Sequence, residues 1–303
     1  MKKKLIACLL AICMIAGLTV GCTSNEDPAP TDANTQQPSS NPATNDPNAT
    51  DIGSGLVSYM NPDDPEPKYG GDLVLIQGWF TDFYLPAVSG NGAQMLTEPA
   101  IESLGRQLPD KTWVPFLAES WEANEEDATF TIKVREGIKF HDGSDLNAEV
   151  VAWNIQEIMD AGRGADICYP TSVEATDEYT VVIQYESYQN VWVEQLSMVH
   201  IVSKATYDAE GEDYMSTHAV GTGAFIQDEM IQGTSIKYVR NDNYWQEGLP
   251  FLDSITLMNI TDENTKISSM MNGEVHGVSI SKGSSITQLS AADGIKRQEA
   301  TNA

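Results

Sequence analysis

VPFLAESWEANEEDATFTIKVREGIKFHDGSDLNAEVVAWNIQEIM, residues 114–159, decides the fold. From Thr129 to Arg135 the side chains alternate: Phe130, Ile132 and Val134 fall on one side, Thr131, Lys133 and Arg135 on the other. A period of two describes a strand with one buried face. Upstream, Ser120–Ala123 alternate too, and the polar run Asn124–Asp127 reads as a turn, so the two strands form a hairpin. Downstream, Glu136–Gly137 breaks the strand, Ile138 and Phe140 resume an inward face, and His141–Asp142–Gly143 turns again. Asn147 then stands where a helix cap belongs, before Val150, Val151, Ile155, Ile158 and Met159 at spacings near 3.6. Strands followed by an amphipathic helix make an α/β chain.

Working outward, Tyr69–Ile76 reads as a turn and an apolar strand, and Gln94–Arg106 as a helix around Met95, Ile101 and Leu104, interrupted at Pro99. Val173–Tyr185 contains a strand, TVVIQY, and Tyr188–Lys204 predicts a helix and then a strand. Ala224–Asp228 and Ser235–Arg240 form a hairpin through Gln232–Thr234, and Asn243–Trp245 forms a packed corner. Leu252–Ile260 is a strand, and Asp262–Asn272 a helix capped by Thr261, with Ile267, Met270 and Met271 inward and Gly273 beyond its end. Val275–Ile280 is the last strand.

The chain begins with Lys2, Lys3 and Lys4, an apolar run from Leu5 to Val20, and Gly21–Cys22. This is an export signal of the lipoprotein type, with Cys22 as the lipidated residue, although Thr19 stands where leucine is commonest. A run of sixteen residues falls short of the roughly 20 that span a bilayer. Two acyl chains on one cysteine suffice as an anchor. Cys8 and Cys13 leave with the signal, so Cys168 is the one thiol of the exported part and reads as a bland, partly buried side chain. Residues 23–68 hold eight of the fourteen prolines and bury too little apolar surface to fold. They read as a tether with an r.m.s. span of about 35–40 Å.

Loss of residues 1–21 takes three of the seventeen basic residues and none of the forty-four acids, leaving 14 against 44, or −30. Such a surface disfavours nucleic acid and anionic lipid as partners. Its acids are either a solvated surface or a field that attracts cationic ligands. Catalytic signatures are missing: there is no P-loop, HExxH, CxxC or GxSxG. GTGAFI at 221–226 lacks the third glycine of a dinucleotide fingerprint, and His141, His200, His218 and His276 are too scattered for a sequence-local metal site. Neither enzyme activity, a cofactor nor a metal is therefore expected.

LAESWE at 117–122, KVREGIKFHDG at 133–143, AEVVAWN at 148–154, VGTGAF at 220–225 and the run from Asn241 to Val275 resemble, in order and spacing, the family 5 solute-binding proteins of bacterial ABC importers. The resemblance spans roughly residues 69–300. It departs at Ala224, where the family usually has proline, and at His276, where relatives often carry an acid. It implies a periplasmic-binding-protein-like (type II) α/β fold of two lobes joined by a hinge and closing on ligand. The organisation it implies is a signal peptide at 1–21, a lipidated cysteine and tether at 22–68, and the N-terminal part of a solute-binding domain at 69–303. Within that part, 69–81 and about 190–280 belong to the first lobe, about 82–189 to a subdomain inserted in it, and 281–303 to the start of a crossover. The chain ends where relatives enter a second lobe, so an N-terminal portion is expected.

The resemblance also implies that the segment after the first strand approaches ligand. There Trp79, Phe80 and Tyr84 offer stacking surfaces and Asp82 a partner for an amine, or the same aromatics simply pack beneath a loop. His141 and Asp142 belong to a family scaffold turn. The implied role is an extracellular (periplasmic where an outer membrane exists) binding lipoprotein that captures oligopeptides for permease subunits. Nickel complexes or oligosaccharides are alternative ligands, a sensor or adhesion protein the alternative role, and a monomer the expected state.

Overall fold

The computed structural model describes residues 68–77, 80, 95–108 and 110–296, all within one compact unit, Asn48–Ala303. Cys22, Trp79, Asp82 and Tyr84 lie outside the described residues.

The stretch that alternates in sequence builds the first core. Strand β4 (Ala118–Asn124) pairs antiparallel with β5 (Thr129–Val134). Asn124 closes the turn between them by accepting from the backbone N–H groups of Glu126 and Asp127. Phe130, Ile132 and Val134 are each 1% exposed, as the period of two requires. Strands β6 (Ser172–Asp177) and β7 (Thr180–Gln184) complete an antiparallel sheet in the order β4-β5-β7-β6. Helix α1 (Ala148–Asp160) covers it, capped by Asn147, whose side chain accepts from Val150 N–H. Val151, Ile155 and Ile158 are buried, and Val150 and Met159 flank them at the edge of this core. Burying each such side chain stabilises by about 1.5–3 kcal/mol. Helix α2 (Trp192–Ser197) adds Trp192, stacked on Tyr185 with ring centroids 4.4 Å apart.

A second sheet is mixed. Its order is β11-β1-β10-β9-β8, with β1 (Asp72–Gln77), β8 (Phe225–Ile231), β9 (Ser235–Arg240), β10 (Ser254–Asn259) and β11 (Gly277–Val278). β8, β9 and β10 form an antiparallel meander, whereas β1 lies parallel to both β10 and β11. Strands that run parallel need a crossover between them, and α5 (Glu263–Met271) lies in the one from β10 to β11, the two strands that flank β1. Leu96, Ile101, Val202, Met215, Ile236, Tyr238 and Leu257 form the second core. Short helices α3 (Lys204–Glu210) and α4 (Glu212–Met215) lie between the two sheets in sequence, and α6 (Gly283–Ser290) follows β11.

Several sequence expectations are corrected. The helix expected over 94–106 is not formed: among the described residues of this stretch only Met95–Thr97 are helical, and after a turn at 98–100 the chain runs extended into β2 (Gly105–Gln107). There Leu104 N–H donates to Val199 and Ile201 N–H to Glu102, while β2 pairs with β3 (Trp113–Pro115). Long-range partners satisfy that backbone, so local periodicity loses. Met95 is 50% exposed, and Leu96 takes the inward place. The strand expected before Lys204 is a single bridge, Ser103 to His200. Asp262, not Thr261, caps α5, because its carboxylate accepts from Thr265 N–H at 2.8 Å. Met271 ends up 52% exposed, and β11 is two residues rather than six.

Candidate functional site at the carboxyl edge of the parallel strands

Open sheets with parallel strands bind ligands outside the carboxyl ends of those strands. Here β10, β1 and β11 run side by side in one direction, so their exits share one edge. Gln77 lies opposite Asn259 at that edge. Two residues back, Leu75 lies opposite Leu257, and both pack into the second core. Alternation therefore puts Gln77 and Asn259 on the same face as that core. Phe80, three residues past β1, is half-buried against the same core. Of the four residues expected to meet ligand, it is the one the described structure places, and it joins packing to proximity to the edge.

The edge carries mixed charge. Asp262 is committed to capping α5, and its donors from Thr265 hold its carboxyl below the usual range, with Lys282 adding to this. Two acceptors have no donor: Asn259 Oδ1 and Glu263 Oε1 are buried without a hydrogen bond. Sequence reading passed over both, since neither belongs to a motif. His276 is structural here: its N–H donates to Val74 O at 2.7 Å and its Nδ1 accepts from Val74 N–H at 2.9 Å, fastening β11 to β1.

A separate cleft of about 460 Å³ lies between the β2–β3 hairpin and Met198–His200, walled by Glu98, Arg106, Trp113 and Phe116. Arg106 stacks on Phe116 at 4.0 Å. At its floor is Glu102, which the sequence reading also missed. Its Oε1 accepts from Tyr244 Oη–H at 2.5 Å, and its Oε2 from Trp245 Nε1–H at 2.9 Å and Thr222 Oγ1–H at 2.8 Å. Burial pushes this carboxyl up to about 7 against the pull of those three donors and Arg106. Burial likewise pushes His200 down to about 4, leaving it neutral. Every polar group of Glu102 is satisfied by protein, so the cluster reads as a fastening of segments 102, 222 and 244–245 rather than as a chemical centre.

The FHDG turn is scaffold as well. His141 Nε2 donates to Gly223 O at 2.9 Å, and Asp142 accepts from Ser144, Ser203 and Thr206, tying the turn to the start of α3. Cys168 is buried, and burial raises its thiol. Among the described residues no three His, Cys, Asp or Glu side chains could hold a metal, and no helix is long and apolar enough to cross a membrane.

The sequence pattern of the family described as bacterial extracellular solute-binding proteins, family 5 Middle, matches residues 112–303. This chain belongs to that family. Among curated relatives, the glutathione-binding protein GsiB of Escherichia coli O1:K1 / APEC is 34% identical over 164 residues, covering 52% of this chain and 32% of the relative. Among solved structures, the periplasmic binding protein DppA from Helicobacter pylori, in complex with the peptide STSA, superposes with a TM-score of 0.68 at 21% identity. That match covers 75% of this chain and 50% of the other. A nickel ABC transporter structure from Bacillus halodurans gives 0.64 at 27% identity, over 74% and 46% of the two chains. The fold is thus the α/β fold of type II periplasmic binding proteins. The chain spans about a third of the length of the curated relatives and about half that of the solved ones.

Proposed function

We propose that this protein is the extracellular solute-capturing component of an ABC importer, that peptides are its ligands, and that lipid on Cys22 holds it at the membrane. What supports the reading is membership of a solute-binding family together with a parallel-strand carboxyl edge whose core-facing side carries Phe80. Trp79, Phe80 and Tyr84 supply apolar faces for ligand side chains, and Asp82 an acceptor for an amine. The relatives' ligands, glutathione for one and the peptide STSA for another, set the panel to try first. The fastened scaffold presents this edge, and ligand binding favours whichever arrangement makes more contacts with it.

Isothermal titration of the protein with trialanine, glutathione and a nickel–histidine complex tests the reading. Micromolar binding of at least one peptide is expected, equivalent to about −8 kcal/mol. Silence across the panel would overturn it.

The anchor has its own test. Cells fed labelled palmitate should label the protein, and Cys22→Ala should abolish the label and release the protein from membranes. Retention of the alanine variant on washed membranes would count against lipid anchoring.

A further inference from the structure

The cleft between the β2–β3 hairpin and Met198–His200 encloses about 460 Å³, within the roughly 300–1,000 Å³ of small-molecule pockets. Two of its polar walls are left unused by the fold. The first is Arg106. Its guanidinium sits 4.0 Å from the centre of the Phe116 ring, and no carboxylate forms an ion pair with it among the described residues. The ring covers one side of the guanidinium and leaves its N–H fork for an outside acceptor.

The second is His200, 9% exposed. Its Nδ1 lies 2.9 Å from Met198 O, and a carbonyl only accepts, so Nδ1 carries the ring proton and Nε2 the lone pair. Burial keeps the ring neutral near pH 7. Nε2 meets no donor among the described residues, yet it is not sealed from solvent. The cleft that His200 lines is where that lone pair opens. Trp113, half-buried on the same cleft, adds an aromatic face.

Charge decides what kind of ligand fits. Glu98 and Glu102 line the cleft too, in a chain of net charge −27, so an anion is repelled. A cation would face Arg106, and the carboxyl at the floor, Glu102, is already engaged by Tyr244, Trp245 and Thr222. What remains is neutral, flat and two-edged: a face for Trp113, acceptors for Arg106 and an N–H for His200 Nε2. An oxopurine has all three. Guanine O6 and N7 match the arginine fork, whereas adenine presents a donor at N6 where guanine has O6. The ring stacks on aromatic side chains, and N1–H is a donor on the neighbouring edge. A nucleoside carries no phosphate, so it escapes the repulsion that disfavours nucleic acid.

We propose that this cleft is a site for a neutral oxopurine base or nucleoside, with Arg106 binding the O6/N7 edge, Trp113 the ring face and His200 Nε2 an N–H of the same ring. The assignment does not depend on peptide capture at the sheet edge.

The probes are guanosine and adenosine, titrated calorimetrically into the full chain. The wild type should bind guanosine about tenfold or more tightly than adenosine, the discrimination that one bidentate arginine gives. Arg106→Lys keeps the charge and loses the fork, so the preference should fall to about threefold or less. Arg106 is exposed, and this variant should melt within about 2 °C of the wild type. His200→Asn offers Met198 O an amide N–H in place of Nδ1–H and removes the lone pair, so guanosine should bind about threefold or more weakly. Should that buried change unfold the protein, Trp113→Ala takes its place, with both nucleosides weakened about fivefold or more. Absence of guanosine binding up to about 1 mM would overturn the assignment. So would equal binding of the two nucleosides, a preference that survives in Arg106→Lys, or guanosine affinity unchanged in a folded His200→Asn or in Trp113→Ala.

Discussion

Glu102→Ala should lower the stability of the folded protein by about 3–4 kcal/mol, a loss of roughly 10 °C in melting temperature for a chain of this size. The side chain is 7% exposed and gathers donors from three segments far apart in sequence. Removing the carboxylate leaves Trp245 Nε1–H with nowhere to turn, and the hydroxyls of Tyr244 and Thr222 short of their acceptor. Each orphaned donor costs about 1–3 kcal/mol, softened where water enters from the adjoining cleft. Glu102→Gln should cost far less. Its oxygen can face Trp245 and Thr222, while its amide donates to Tyr244 Oη, which accepts as well as donates. The pH dependence separates the two variants further. Folding raises this carboxyl from 4.5 to about 7, so the folded state binds its proton more tightly than the unfolded chain does. The resulting stability is fully present below pH 4.5 and is lost as pH rises through about 7. Glutamine has no such loss. Thermal melts between pH 4.5 and 8 should therefore show the Gln variant gaining on the wild type as pH rises. A drop under about 1 kcal/mol in Glu102→Ala would show that the cluster holds nothing together.

What could be read from the sequence were features whose partners lie close along the chain. Phe130, Ile132 and Val134 announce a strand because their burial follows from the pleat alone, and Asn147 announces a cap because its target, Val150 N–H, is three residues away. Residues 94–106 defeated the same reasoning. Their apolar spacing suits a helix, yet their backbone is claimed by Val199, Ile201 and the 115–118 stretch, up to about a hundred residues away. The α5 cap was misplaced by one residue because Thr261 and Asp262 are both competent, and only Thr265 N–H chooses between them. Of the aromatic segment that the sequence offers after this strand, the described residues place Phe80. Asn259 is an unremarked polar residue at a strand end until Gly233, 26 residues upstream, is seen to fix its amide.

Gly221→Ala and Gly223→Ala should each cost about 3 kcal/mol, at the upper end of the usual range for overfilling a packed site, and the double variant should fail to fold at 37 °C. Neither glycine needs a left-handed backbone; what each needs is room. A Cβ on Gly223 would stand 2.6 Å from Pro99 O and 2.7 Å from Ala100 C, and one on Gly221 2.7 Å from Ile101 Cα. These are backbone atoms, so no rotamer change relieves the clash. The two segments cannot simply part. Gly223 N–H donates to Ala100 O at 2.9 Å, Phe225 N–H to Pro99 O at 3.0 Å, and His141 N–H to Gly221 O at 2.8 Å. Asn241 Nδ2 and His141 Nε2 both donate to Gly223 O. A methyl group at either position must therefore stretch several bonds together, loosening segment 99–104 beside Glu102 and the FHDG turn at once. Gly233, in the open β8–β9 turn, serves as the contrast. Its φ of +68° makes alanine strained, but nothing lies within 4 Å of the added carbon, so its cost should stay near 1 kcal/mol. Urea melts of the three single variants would decide: a Gly221 or Gly223 variant no less stable than the Gly233 variant would refute close backbone approach as the reason for the GTG sequence.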